Sequence, residues 1–417
     1  MRARLLRFNK LTRAWGFFPL AVFVVSIAVF GLAADTVRAQ KFLAPNGMEG
    51  DLFGLSVATS GGRIVVGAPE ESLAVGIRTN PGAAYVFDRN GGFVRELVPR
   101  LASERRRDDS YGRSVAISGN IIVVGSPRAD DVAFFAGEAF VFNATTGAQV
   151  AKLVPTGTRR IPADASAFGS AVAVSANRIV VGAPGTAANA TSRFGANGGI
   201  YIYDATTRRL ISRVIPPEAQ PIDNVGHSVA VAGSFVVAGA PFDKSEAFHA
   251  GAVYVFNSSN GSQRIRLTAS DAGEEHLFGF SVSISGGLIA IGAPGDNTQG
   301  SLSGSVYLFD ARTGIFVNKF VADDGEAFDQ FGISVDIVGN TLAVGAWGDN
   351  AGAGSVYVFD VTTGMQLAKL EAPDAAPLAI LGRSVAISSS SIIAGAPRDG
   401  ELGEDAGAVY QFELPMP

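Results

Sequence analysis

The sequence contains no cysteine. No disulfide can staple the fold, and thiolate catalysis and Cys-ligated zinc are excluded, so stability has to come from packing. Histidine is almost as scarce. The three present, His227, His249 and His276, show no metal-ligand spacing. No G-x-S-x-G, H-E-x-x-H or P-loop occurs, so no catalytic motif speaks for an enzyme. Basic charge is not in excess either. The formal net charge is −5, which argues against nucleic acid or anionic lipid as a partner.

Glycine, by contrast, is abundant, with 51 residues. Many of these glycines belong to a phrase that recurs seven times, beginning with FGLSVATSGGRIVVGAP at Phe53. The opening glycines are Gly54, Gly112, Gly169, Gly226, Gly279, Gly332 and Gly382. The second glycines are Gly67, Gly125, Gly182, Gly239, Gly292, Gly345 and Gly395, always 13 positions on. Self-similarity at this period marks a repeat architecture with copies starting near residues 53, 111, 168, 225, 278, 331 and 381.

Before the first copy lies a targeting segment. Arg2, Arg4, Arg7, Lys10 and Arg13 form a basic region, Gly16 to Ala34 is an uncharged apolar run, and Val37-Arg38-Ala39 offers small residues for cleavage. Residues 1–39 read as a secretory signal, with the mature chain spanning 40–417. Loss of six basic residues and one acid moves the net charge from −5 to −10. If uncleaved, the same run is near the length of a membrane anchor. Membrane association is expected only in that case, and the expected location is secreted or at the cell surface.

Each copy predicts four short strands. The first is a small-residue and valine run, with Ser two residues after the opening glycine in six copies and Ala171 in the third. A two-residue turn leads to an almost wholly apolar run, which calls for cover on both faces. It ends in Gly-Ala-Pro, where proline has no N–H for a ladder. A loop of variable length follows, then a Tyr-Val-Phe-Asp strand and an Asx–Gly turn. In the third copy Arg208 replaces that glycine, so local distortion is expected there. The last strand ends Lys-Leu-x-Ala-Pro. A four-stranded sheet of this size cannot bury both faces alone, whereas seven packed radially can. The expected fold is all-β, a seven-bladed β-propeller of four-stranded antiparallel blades. The seventh copy lacks its fourth strand. Lys41-Phe42-Leu43-Ala44-Pro45 resembles Lys369-Leu370-Glu371-Ala372-Pro373, so the N-terminal strand is expected to complete the last blade.

These residues resemble the FG-GAP repeat, the unit of the propeller at the head of integrin α subunits and of many secreted bacterial proteins. The resemblance implies an extracellular binding or adhesion module that is not an enzyme. In integrin-type repeats several blades carry a D-x-D-x-D-G calcium loop between the first two strands. All seven copies here use the short spacing, so those calcium sites do not carry over and no cofactor is expected, calcium staying open only through other acidic loops.

The candidate ligand-binding residues are Asp243, Asp296, Asp349 and Asp399, two residues beyond the Pro or Trp of the last four copies, together with Trp347, which replaces proline. Propeller geometry puts these loops on the same end as the acidic connections carrying Asp271, Glu274, Glu275, Asp323, Asp324, Glu326 and Asp329. One reading is a carboxylate-lined face that binds a cation, a cationic partner or a glycan, so that the ligand is an extracellular protein or glycan unless it is a metal ion, with Trp347 stacking on a sugar or anchoring a partner. The other is Asx-turn capping. Phe134, Phe135, Phe194 and Phe248 lie in the variable loops, Arg105–Arg107 form a charged run, and Asn143, Asn189, Asn257 and Asn260 match the glycosylation sequon. Rival functions are an extracellular hydrolase or lyase acting on polymer at the propeller face, and a structural envelope protein.

Overall fold

The computed structural model describes residues 39–71, 81–100, 108–132, 135–155, 166–186 and 196–414. The Gly16–Ala34 run, Arg105–Arg107, Phe134, Asn189 and Phe194 lie outside them. The described residues form seven four-stranded antiparallel sheets, one per repeat, arranged as the blades of a propeller. Among them, helix is confined to a single turn, Asp349–Gly352. No helix of the described residues is long and apolar enough to cross a membrane.

Blade 5 shows how sequence becomes blade. Its strands are Ser281–Ser285, Leu288–Ala293, Ser305–Asp310 and Phe316–Phe320. Ile289, Ile291, Tyr307 and Phe309 pack against blade 4, while Ala290, Val306 and Leu308 pack against blade 6. The continuous apolar run is thus covered on both faces, as its pattern requires. One apolar cluster of this kind lies between each pair of neighbours, so the core is distributed around the ring.

The two glycines of the phrase serve the joints between blades. The opening glycines hold φ between 83° and 92°, a conformation that L side chains rarely adopt. A Cβ on the second glycine would lie 1.8–2.1 Å from the carbonyl oxygen of the next blade's opening glycine. The serine between them spans the same joint. Its hydroxyl donates to that same carbonyl at 2.7–2.9 Å in six blades, from Ser56 to Gly112 and round to Ser384 with Gly54. Ala171 has no hydroxyl to offer Gly226.

The ring closes through Ala39–Phe42, which pairs antiparallel with the last strand from Ala39↔Phe412 to Phe42↔Val409. Ala39, on the leader side of the expected cut, is already part of this strand. Phe42 and Ala44 join Phe53, Val57 and Val409 in the core between the last and first blades.

Two turns differ from expectation. Arg208 causes no distortion. It takes φ +60°, and its N–H donates to Asp204 at 2.8 Å, as Gly261 does to Asn257. The strand register shifts at the same place in both blades. The left-handed conformation costs a non-glycine residue about 1–2 kcal/mol, and the guanidinium also donates to Thr206. In blade 1 the left-handed residue is Gly91, not Gly92.

Candidate functional site

The antiparallel order places the loops after the second strands and the connections between blades at one end of the ring, and their backbones are hydrogen-bonded to each other there. Phe328 donates to Ser301, Glu275 to Phe248, Ile222 to Ala196 and Ile380 to Gly352. All four expected aspartates lie at this end. None presents its carboxylate to solvent, since each is buried. The expected carboxylate-lined surface is therefore not what these four form. Each turns inward because two sets of partners are waiting for it.

One set is local. An Oδ1 of Asp243 accepts from the Ser245 N–H at 2.9 Å, and that of Asp296 from Thr298 at 2.8 Å. Asp399 accepts likewise from Glu401, and this contact two residues on is the Asx-turn geometry. Asp349 accepts instead from the N–H of its neighbour Asn350 at 2.8 Å. The other set comes from across the blade. The third-strand tyrosine donates its hydroxyl to Oδ2 in all four blades: Tyr254 to Asp243 at 3.2 Å, Tyr307 to Asp296 at 2.7 Å, Tyr357 to Asp349 at 3.0 Å and Tyr410 to Asp399 at 2.9 Å. A cation from the outer strand completes the set. Lys319, Lys369 and Lys41 reach Asp296, Asp349 and Asp399 at 2.8–2.9 Å, and Arg266 reaches Asp243 at 3.0 Å. The strand register sets each cation directly opposite its tyrosine, as with Tyr307↔Lys319.

The connection leaving the preceding blade adds a second carboxylate in three of these blades. Asp271, Asp324 and Asp374 pair with Lys319, Lys369 and Lys41, each at 2.7 Å. Electrostatics follow from this crowding. Burial alone would raise the Asp296 pKa, but hydrogen bonds from Thr298, Tyr307 and Lys319 outweigh it and hold the carboxyl at about 2. Burial, with the neighbouring carboxylates, pushes Tyr307, Tyr357 and Tyr410 well above the usual phenol range. Lys41 and Lys369 are held protonated because their carboxylate partners outweigh desolvation. A tyrosine driven up and a lysine kept charged supply no base near neutral pH. Two acids do move toward neutrality, Glu138 to about 7 and Asp223 to about 6, both through burial first. They belong to different blades and form no pair.

Blade 2 explains the cluster by its exception. Phe140 stands where the other blades have tyrosine, and Ala129 stands where the last four have aspartate. Without the hydroxyl, the buried acid at that position is gone as well. The cation remains, as Lys152, and is neutralised instead by Glu138 at 2.8 Å and Asp131 at 2.6 Å.

Trp347 is half-buried, with the Arg383 guanidinium 5.5 Å from its ring centre. It therefore flanks the central channel rather than standing free among the loops. The residue between the opening glycine and the serine lines that channel. Leu55, Arg113, His227, Phe280, Ile333 and Arg383 surround a cavity of about 310 Å³. The His227 ring lies 4.7 Å from that of Phe280 and 6.4 Å from that of Phe242. His249 continues the line, 5.1 Å from Phe242 and stacked at 3.9 Å on Phe248. A strip of five rings thus crosses blade 4 from the channel to an exposed phenylalanine. Asn143 and Asn257, two of the sequon residues, use their side-chain oxygens to cap turns at the opposite end.

None of the curated proteins compared with the chain matches it. The FG-GAP repeat family matches residues 36–87, 100–142, 209–256, 262–309, 315–359 and 365–412. Five of the six matched stretches run from an outer strand into the three inner strands of the next blade, the same overlap that closes the ring; 100–142 begins beyond the outer strand Phe93–Glu96. An FG-GAP propeller fits a binding module and is typically not an enzyme. By this match and by its seven blades, the chain belongs to the FG-GAP repeat family.

Proposed function

We propose that this propeller is a secreted or cell-surface binding module that docks an extracellular protein on its loop face. One observation carries the reading. Ile222, Phe328 and Leu378 occupy the same place in three inter-blade connections, three residues before the next opening phrase. They are 56–62% exposed and hold φ of 64–80°. Gly50 fills this place before the first blade with φ +85°. Asp108 and Glu275 hold the same place with φ +60°, so the left-handed backbone belongs to the position itself. The fold does not require large apolar side chains exposed there, and contact with a partner accounts for them. Exposed Phe248 adds a fourth apolar knob at the end of the aromatic strip.

Branched and aromatic knobs of this kind suit a protein better than a glycan, which stacks on flat rings. The basic region and apolar run before residue 39 support export. The inward-turned aspartates serve blade stability, so recognition is expected to need no calcium. The test compares wild type with I222G/F328G/L378G on arrays of extracellular matrix and surface proteins and on a glycan array. Glycine relieves the strained φ at all three sites, so the variant folds at least as well. Binding to a protein that the variant loses supports the proposal. Equal binding by both, or binding to glycans alone, overturns it.

A further inference from the structure

Apart from the loop face, we infer that the channel mouth is a carboxylate-binding site, with Arg113 and Arg383 as its anion-holding groups. The inference does not depend on the loop-face reading. Arg113 enters from blade 2 and Arg383 from blade 7, and both line the same cavity of about 310 Å³, the size of a small organic molecule. Among the described residues, no carboxylate lies within ion-pair distance of either guanidinium. Glu70 is the one acid whose field reaches Arg113, and it faces Arg128 at 3.7 Å. The lysines of the outer strands at this end of the ring are neutralised by their aspartates. The two arginines stand out against that pattern.

The environment sharpens the point. Arg113 is open to channel water, and Arg383 partly so, yet both are closely surrounded by protein. Burial comes first in lowering the pKa of Arg383, to about 10, and the charge of Arg113 adds to it. Arg113 is shifted in the same direction, also chiefly by burial. His227, in the same wall, is pushed down to about 4 by burial and then by both arginines. Two like charges and a suppressed imidazole around one cavity describe a site with a deficit of negative charge. A guanidinium presents a planar fork that matches a carboxylate. Leu55, Phe280 and Ile333 give the mouth its apolar side chains, with valines of the first strands deeper, and the first-strand serines between them spend their hydroxyls on the blade joints. The ligand is therefore a carboxylate attached to an apolar body, either a free organic acid or an acidic side chain of a bound protein.

Trp347 supplies the readout. Its ring carries the Arg383 guanidinium, and Trp15 is the only other tryptophan in the chain. The full-length protein is titrated with cyclohexanecarboxylate, its neutral isostere cyclohexylmethanol, inorganic sulfate and a short blocked peptide containing one glutamate. Trp fluorescence and calorimetry are followed together. The expected result is saturable binding of cyclohexanecarboxylate that quenches or shifts the Trp347 signal, with no response to the isostere. R383Q and R113Q should each bind about tenfold more weakly, the loss of one charge-assisted hydrogen bond, and should melt no lower than wild type because each removes one of two repelling charges. Response to the free acid alone assigns a small metabolite, and response to the peptide alone assigns a partner's acidic side chain. The inference fails if no carboxylate binds, if the isostere or sulfate binds as well as the acid, or if both arginine variants bind like wild type.

Discussion

Replacing Asp296 by asparagine should destabilise the protein by a pH-dependent amount. Asp296 is 1% exposed and is contacted by Tyr307, Lys319 and Thr298. Its carboxyl is held at about 2 in the fold against 3.8 for the free group. A depression of nearly two units corresponds to about 2.5 kcal/mol. The folded-state pKa is the lower one, so this stability is fully present above the unfolded pKa. It disappears as pH falls from about 4 through about 2.

The asparagine side chain keeps the shape but loses the charge, leaving Lys319 with half-exposed Asp271 as its remaining partner. At neutral pH, D296N should cost about 2–4 kcal/mol, the range for a buried pair that loses one member but keeps a second. Urea unfolding of wild type and D296N, near neutral pH and in steps down to about pH 2, measures the gap directly. The gap should be largest above pH ~5 and should shrink through the window between the two pKa values. A gap that stays constant to the acid end would show that the cost is steric, and a gap below about 0.5 kcal/mol at neutral pH would show that the cluster is idle. Y307F combined with D296A should cost less than the two single changes together, because blade 2 carries that very pair as Phe140 and Ala129.

Two further changes test the joints. Ala171→Ser supplies the one missing hydroxyl to the Gly226 carbonyl and should raise stability by about 0.5–1.5 kcal/mol in chemical denaturation; a loss of stability would show that blade 3 and blade 4 meet differently from the other pairs. Replacing residues 39–45 by a Gly/Ser stretch of equal length removes the closing strand, the Lys41 bridges to Asp374, Asp399 and Glu401, and the buried Phe42. Loss of Phe42 alone is worth about 3–5 kcal/mol, so the melting temperature should fall sharply, and an unchanged melt would refute closure by this strand.

The ring is legible in the sequence because its joints demand fixed residue types. Only glycine fits where a Cβ would strike the next blade's carbonyl, and the spacing of 13 follows from one hairpin of fixed length. The serine is legible as a small residue but not as a hydroxyl that spans two blades. That role depends on the neighbouring copy, which no single repeat contains. Arg208 misleads for a related reason. The turn chemistry predicts a left-handed residue, and the structure keeps one while bearing the strain in a non-glycine backbone.

The site is less legible because sequence gives a loop position without a direction. Asp296 sits where a loop acid would be exposed, and it turns inward because Tyr307 and Lys319 face it from two other strands. The strand register between Leu308 and Phe309 shifts by one residue, so a simple count along the hairpin does not pair that lysine with that tyrosine. The signal that could have found the cluster is a comparison between copies. Tyrosine accompanies an acid in blades 1, 4, 5, 6 and 7, where Tyr85 donates to Glu71 in the first; phenylalanine accompanies alanine in blade 2, and blade 3 departs from the pairing by keeping Tyr201 with Thr186 in place of the acid. Such paired change is what a buried hydroxyl–carboxylate contact requires, since either group left alone would be buried without its partner. The channel is illegible for the opposite reason. Its residues fill a variable position of the phrase, the one after the opening glycine, and nothing in a linear reading joins Arg113 to Arg383, about 270 residues away. Closure of the ring, through Ala39–Phe42 and the joint of Ser384 with Gly54, brings blades 2 and 7 to the same axis. The strand that completes the fold therefore also completes the cationic wall, and loss of that strand should abolish carboxylate binding along with closure.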